Sequence, residues 1–218
     1  MKIFLDFDST LFDSSRLRGK FLIDLRSTIQ SGGWTKEEVA EQAKVFSGSA
    51  FEGGRLYNIC THLDFLEEKY PHGRKEETLA RVEEFMQDLR AYVFSDALSF
   101  LQTQQKEDAV IVTYGDDTFQ RTKVKSSGVE EYVSEVIVVD TLPKVEAIGE
   151  WLEDHGVTGE TVFFIDDKTQ YFDALVESNP HGIIGILMDR NMELQQGNAK
   201  HHVKDFRQVA DIIGSHDL

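Results

Sequence analysis

A doubly wound, Rossmann-like α/β core with a parallel sheet and an inserted all-helical cap is the fold class this 218-residue sequence predicts. Three observations predict it. Short apolar runs rich in β-branched and aromatic residues alternate with helical patterns in the C-terminal half, which implies a parallel sheet covered on both faces. A run of the same kind stands alone at the N-terminus. Between the two, residues 14–92 show helical periodicity and no strand run.

The first strand is read over Ile3 to Phe7, an apolar run broken only by Asp6. Later strands are read at Ala109–Thr113, Glu135–Val139, Thr161–Ile165 and Ile183–Leu187, each too short for a typical helix. Helices are expected over Asp117–Ser126, ending before Gly128, and over Pro143–Asp154, opening with Pro and closing near Gly156. Two more follow, at Thr169–Ser178 and Val203–Ile213. In the insert, Leu17, Phe21, Leu25 and Ile29 recur every four residues and stop at Gly32-Gly33. Thr35 and Glu38 form a capping box that leads into Val39, Ala43 and Phe46. Leu56, Ile59, Leu63 and Leu66 mark a third helix, broken at Pro71-His72-Gly73, and Leu79, Val82, Phe85 and Leu89 a fourth. The domain reading is therefore a core of residues 1–13 and 93–218 and a helical cap of 14–92, joined by crossings near Phe12–Ser15 and Tyr92–Ser95.

Hydrophobic residues at 40% and charged residues at 28% are ordinary for a soluble globular chain. A formal net charge of -16 repels polyanions, which argues against nucleic acid and anionic membrane as partners. The same field repels a phosphate, so a phosphate substrate would need local cations. Cys60 is the single cysteine, so no intramolecular disulfide forms, as suits a reducing compartment. The N-terminal apolar stretch is too short for a signal sequence, and no run approaches the roughly 20 apolar residues of a membrane span. The expectation is a cytoplasmic, soluble, unprocessed protein.

Asp6-Phe7-Asp8-Ser9-Thr10-Leu11 follows the first strand directly. Ligands of parallel sheets bind at the carboxyl ends of the strands, so both carboxylates stand where chemistry is expected. One carboxylate can attack phosphorus and form an acyl phosphate, splitting a hard step in two. A second can protonate the leaving oxygen and then deprotonate water. Thr113-Tyr114-Gly115 ends the second strand and offers a hydroxyl and backbone amides to phosphoryl oxygens. Lys144 opens a helix after a strand and can offset repulsion between anionic nucleophile and anionic phosphate. Asp166-Asp167 ends the Phe-Phe-Ile strand, and oxygen-only ligands clustered at one edge suit Mg²⁺.

Together these motifs resemble the haloacid dehalogenase superfamily, and within it the aspartate-dependent phosphatases. The family pattern is Asp-x-Asp-x-Thr after the first strand, a Ser or Thr ending the second core strand, then a Lys, then acidic residues. Asp6, Asp8 and Thr10, then Thr113, then Lys144, then Asp166 and Asp167 supply it in that order. The likeness covers residues 1–13 and about 93–190, and the insert matches the family's cap position by length and character only. The resemblance implies a small phosphomonoester as substrate and Mg²⁺ as cofactor. It implies Asp6 as nucleophile and metal ligand, and Asp8 as acid/base that also binds metal through its backbone carbonyl. Thr113 and Lys144 would hold the phosphoryl group and Asp166 would ligate Mg²⁺, with Thr10 and Asp167 supporting from behind. Asp173 stands at a spacing that some relatives use for an acid, so the choice between Asp167 and Asp173 stays open. Tyr114 departs from the Asn or Gly often found after the Ser/Thr.

Other readings share the scaffold. A 2-haloacid dehalogenase would use Asp6 but needs neither a second acid nor a metal, so Asp8 argues against it. A phosphomutase would keep both aspartates and return the phosphate to its substrate, and a non-catalytic phosphate-binding module would turn nothing over. Lys123 and Lys125 compete with Lys144 but sit mid-helix and read as its solvated face. Cys60 reads as packed in its helix and His201-His202 as surface. Gly48, Gly53 and Gly54 around Phe51 and Arg55 read as a flexible loop or as a specificity loop in which Arg55 meets a substrate anion. Arg16 and Arg18 are weaker candidates for that contact.

Overall fold

The computed structural model describes residues 1–20, 34–43, 56–71, 73–140 and 144–216. Six strands form one sheet: β1 (Lys2–Leu5), β2 (Ala109–Tyr114), β3 (Glu135–Val139), β4 (Val162–Asp166), β5 (Ile184–Met188) and β6 (His201–Val203). Their order is β3-β2-β1-β4-β5-β6, and every neighbouring pair is parallel. The predicted parallel α/β core is thus the fold observed. The chain winds outward from β1 through β2 to β3, then crosses back to β4 on the other side. The reversal lies between β1 and β4, and at such a switch point the carboxyl ends open a crevice for ligand.

Alternation along each strand divides the core in two. Ile3, Leu5, Ile111, Phe163, Ile165 and Ile186 belong to one apolar cluster, while Phe4, Val110, Val112, Phe164 and Leu187 belong to the other. The described helices are α1 (Lys36–Ala43), α2 (Ile59–Lys69), α3 (Lys75–Met86), α4 (Ser95–Leu101), α5 (Asp117–Ser127), α6 (Lys144–Asp154), α7 (Gln170–Glu177) and α8 (Phe206–His216). Helices α4 and α8 join the first cluster through Phe100, Phe206 and Val209, and α6 and α7 the second through Ile148, Trp151 and Phe172. Gly185 on β5 is needed for that packing, because a Cβ there would lie 2.5 Å from the Phe172 ring.

Residues 14–20 are helical. The capping box forms at α1: Thr35 Oγ1 accepts from Glu38 N at 3.2 Å, and Glu38 Oε2 accepts from Thr35 N at 2.6 Å. Asn58 caps α2 by accepting from Cys60 N at 2.9 Å. The two connections to the sheet lie side by side. Phe94 N donates to the Leu11 carbonyl at 3.0 Å, Asp13 N donates to the Tyr92 carbonyl at 2.8 Å, and Phe12 forms an antiparallel bridge with Val93.

Three sequence expectations are corrected here. The last helix starts at Phe206, because residues 201–203 form edge strand β6, paired with Ile186–Met188. His201 and His202 therefore belong to the sheet, with His202 Nε2 3.1 Å from Asp189 Oδ2. Cys60 is exposed: the buried stripe of α2 is Ile59, His62, Leu63 and Leu66, and Cys60 falls beside it. The expected helix through Phe21, Leu25 and Ile29, and the loop with Gly48, Phe51, Gly53, Gly54 and Arg55, lie outside the described residues. Among the described residues no helix is long and apolar enough to cross a membrane.

Candidate active site

Backbone hydrogen bonding carries Asp6 one step past β1, its N donating to the Ile165 carbonyl at 2.9 Å. Leu5 is in register with Ile111 of β2 and Ile165 of β4, so Asp6 stands between the ends of both neighbours. Asp166 is the last residue of β4, Thr113 lies near the end of β2, and Lys144 is the first residue of α6. All four are buried. The chain then turns sharply. Leu11 N and Phe12 N both donate to the Phe7 carbonyl, each at 3.0 Å, and Ser9 is held at φ 66°. That left-handed backbone is unfavourable for a non-glycine residue, and it is tolerated where the surroundings impose it.

Lys144 Nζ donates to Asp6 Oδ1 and, at 2.8 Å, to Asp166 Oδ2, and it lies 4.7 Å over the Tyr171 ring. Asp166 Oδ1 accepts from Lys168 N at 2.8 Å, and Lys168 Nζ is 2.7 Å from Asp167 Oδ2. Three buried oxygens near this cluster have no hydrogen-bond partner: Asp6 Oδ2, Thr10 Oγ1 and Thr113 Oγ1. Such atoms carry a desolvation penalty unless a ligand meets them. Asp6, Asp166 and Asp167 each offer a carboxylate oxygen, all within 4.8 Å of one another. Oxygen-only donors with an unused buried oxygen fit a hard divalent cation such as Mg²⁺. Asp173 is placed elsewhere, accepting from Asn198 Nδ2 at 2.8 Å.

Burial pushes the Asp6 carboxyl well above its usual range; Lys144 opposes this, while Asp166 and Asp167 add to it. Asp166 is pushed up to about 6, by burial first, with Lys144 opposing and Asp167 assisting. For Lys144 burial acts downward, but Asp166 and Asp6 outweigh it and hold the ammonium protonated.

Asp8 is held differently. Lys123 Nζ lies 2.7 Å from Asp8 Oδ1 and 2.6 Å from Oδ2, Gln120 Nε2 donates to Oδ2 at 2.9 Å, and Ser14 Oγ donates to Oδ1. Burial pushes this carboxyl up, but Lys123 with the Ser14 and Gln120 bonds outweighs burial and holds it below its usual range. The reading of Lys123 as solvated is therefore wrong: it is buried, with Gln120, Val124 and Ser127 on the same face of α5. The signal was available, since Phe119 and Val124 are the only large apolar residues of that helix, and a helix packed on a sheet must then bury polar groups. Lys168, Tyr171 and Ser14 were also missed, and nothing in their spacing marks them. Arg16 is engaged at the neck, donating to the Ala91 carbonyl at 2.9 Å. Arg18 is exposed on the helical stretch 14–20.

Residues 3–176 match the haloacid dehalogenase-like hydrolase family, and the chain belongs to it. The protein is thus a hydrolase of that family by sequence, and solved structures agree in fold. It is similar to a haloacid dehalogenase-like hydrolase of Burkholderia xenovorans LB400, with TM-score 0.75 and 17% identity over 99% of this chain and 97% of the other. A 2-haloacid dehalogenase of Pseudomonas syringae pv. Tomato DC3000 superposes with TM-score 0.66 and 14% identity, over 99% and 100% of the chains. A HAD phosphatase of Thermococcus onnurineus does so with TM-score 0.64 and 17% identity, over 98% of each. Among curated proteins none matches the chain.

Proposed function

We propose that this hydrolase is a Mg²⁺-dependent phosphatase acting on small phosphomonoesters through an aspartyl-phosphate on Asp6. The observation that carries the reading is that two carboxylates of one strand end are held for different tasks. Asp6 keeps a buried oxygen without a partner, beside Lys144 and a second and third carboxylate. Asp8 is an anion fixed by three donor side chains. A dehalogenase expels a halide that needs no proton, so it leaves the fixed Asp8 without an acid's task.

Asp6 Oδ2 attacks phosphorus, forming a P–O bond as the ester P–O bond breaks, and the leaving oxygen takes its proton from the minor protonated form of Asp8, whose resting form is the carboxylate. Asp8 then takes a proton from the water that hydrolyses the acyl phosphate. Thr113 Oγ1 donates to a phosphoryl oxygen, and Lys144 keeps Asp6 paired and compensates phosphoryl charge. Asp6, Asp166 and the Asp8 carbonyl would hold Mg²⁺, with Thr10 and Asp167 in support, and the cation would supply charge neutralisation on the phosphoryl oxygens. With all three carboxylates ionised, as a bound cation would favour, Asp6, Asp166 and Asp167 against Lys144 and Lys168 leave the cluster one negative charge, which a divalent cation would reverse. That local reversal answers the repulsion of a chain with net charge -16. The single cysteine and an unpaired thiol suit a cytoplasmic location.

The test is phosphate release from p-nitrophenyl phosphate with Mg²⁺ or chelator, for wild type and Asp6→Asn, beside halide release from 2-chloropropionate. Mg²⁺-dependent phosphate release that Asp6→Asn abolishes supports the reading. Halide release without phosphate release overturns it in favour of dehalogenation.

A further inference from the structure

The cluster around Asp8 is more elaborate than an acid/base carboxylate requires. An ionised carboxylate has two oxygens and about four lone-pair sites. All are used: Oδ1 accepts from Ser14 and Lys123, and Oδ2 from Gln120 and Lys123. Lys123 reaches this position from the middle of α5 with 5% of its surface exposed, packed 5.6 Å from the Phe7 ring and 5.3 Å from the Phe119 ring. A buried ammonium is expensive unless paired, and its partner here is Asp8. Gln120 does a second task, donating to the Tyr114 carbonyl at 2.6 Å at the end of β2. Gly115 permits this, because a Cβ there would lie 2.6 Å from Gln120 Nε2 and its φ is 154°. The α5 helix is itself fixed from outside the sheet. Its N-cap Asp116 accepts from Phe119 N at 2.9 Å and from Asn58 Nδ2 of α2's cap at 2.8 Å.

We propose that Lys123, assisted by Gln120, is the positioning residue that fixes the Asp8 carboxylate for proton transfer to the leaving group. The inference rests on the phosphohydrolase reading and extends it to residues that touch no substrate. Lys123 acts through Asp8 alone. It locks the carboxylate against rotation and ties its placement to the end of β2 and to the helix that follows. A general acid contributes about 10²–10⁴-fold, and a misplacement of about 1 Å can remove about 10²-fold. Both proton transfers of Asp8 are affected, but only the first depends on the leaving group, and kcat/KM reports that step without the later hydrolysis of the acyl phosphate.

Two aryl esters of nearly the same shape separate this role from a structural one. p-Nitrophenol leaves well without a proton, and phenol does not. Lys123→Met is expected to lower kcat/KM on phenyl phosphate by about 10- to 100-fold. On p-nitrophenyl phosphate the loss in kcat/KM should stay under about threefold. In an Asp8→Asn background Lys123→Met should bring no further loss, and Lys123→Arg, which keeps a cation and its donors, should recover most of the phenyl phosphate rate. Gln120→Leu, which leaves no buried charge behind, should show the same leaving-group dependence at smaller size, and it decides the matter if Lys123→Met does not fold. Equal losses on both esters, or a loss that adds to that of Asp8→Asn, would overturn the inference and leave the phosphohydrolase reading standing. A wild type that hydrolyses neither ester, or phosphate release that survives Asp6→Asn, would overturn that reading and the inference with it.

Discussion

Replacing Lys144 by Met tests the charge balance of the site in the absence of any substrate. Lys144 is 2% exposed and is the shared partner of Asp6 and Asp166. Met fills similar volume and removes the charge, so two buried carboxylates lose their partner. Breaking a buried pair in this way costs about 3–5 kcal/mol. The carboxylates can escape part of that by taking up a proton, so about 3 kcal/mol is expected near neutral pH with chelator present. The pH dependence has a definite sign. Asp166 is already raised to about 6, so its ionisation opposes folding as pH rises from the unfolded carboxylate pKa toward that value. Without Lys144 its folded pKa rises further and the loss extends to higher pH. Lowering the pH from about 7.5 to 5.5 should therefore restore the variant more than the wild type. Asp8, held below its usual range, stays ionised across that window, so its pair with Lys123 is unchanged. Urea unfolding in chelator at the two pH values measures both effects. A loss under about 1 kcal/mol at neutral pH, or a variant restored no more than wild type by acid, would refute the reasoning.

Other consequences are equally direct. Mg²⁺ at about a hundred times its dissociation constant should stabilise the wild type by about 2.7 kcal/mol, and Asp166→Asn should lose most of that gain, as thermal unfolding with and without chelator will show. Gly185→Ala places a Cβ against the Phe172 ring and should cost about 1–3 kcal/mol in urea unfolding. Asn58→Ala removes both the cap of α2 and the bond to Asp116, and should cost about 1 kcal/mol by the same measurement. Arg190 donates to the Thr10 carbonyl and to Asp96 while stacking 3.6 Å over Phe94; Lys cannot reproduce that fork, so Arg190→Lys should lose about 1–3 kcal/mol.

The central strands were legible because burial on both faces demands unbroken apolar runs, and no helix of that length competes. Each run lies within two residues of the strand it predicts. Edge strand β6 was not legible, because His201, His202 and Val203 have no apolar run and pair on one side only. The cluster of Asp6, Lys144, Asp166 and Asp167 was legible because each sits at a strand end or helix start, where the parallel fold converges its termini. Lys123 was not, because it acts from the middle of a helix, and which face that helix turns to the sheet depends on packing. Cys60 failed for the same reason in reverse: the residue after Ile59 is rotated off the buried stripe of α2.

The position of β1 has a consequence for how the chain reaches this structure. Of the sheet's six strands it is the first to emerge during synthesis and one of the two central ones, yet its partners are residues 109–111 and 162–165. Its ladder cannot begin until residues 109–111 have been made, and cannot be completed until residues 162–165 have. Contacts so distant in sequence close large loops and slow folding. Throughout that interval Ile3, Phe4 and Leu5 form a β-prone segment without a partner, exposed to mispairing with other chains. Helices α1, α2 and α3, which pack on one another in sequence order, have meanwhile had time to form. Asp6, one step past β1, is then placed only when β4 arrives beside it, so the candidate site is assembled late, by the same event that completes the sheet's centre.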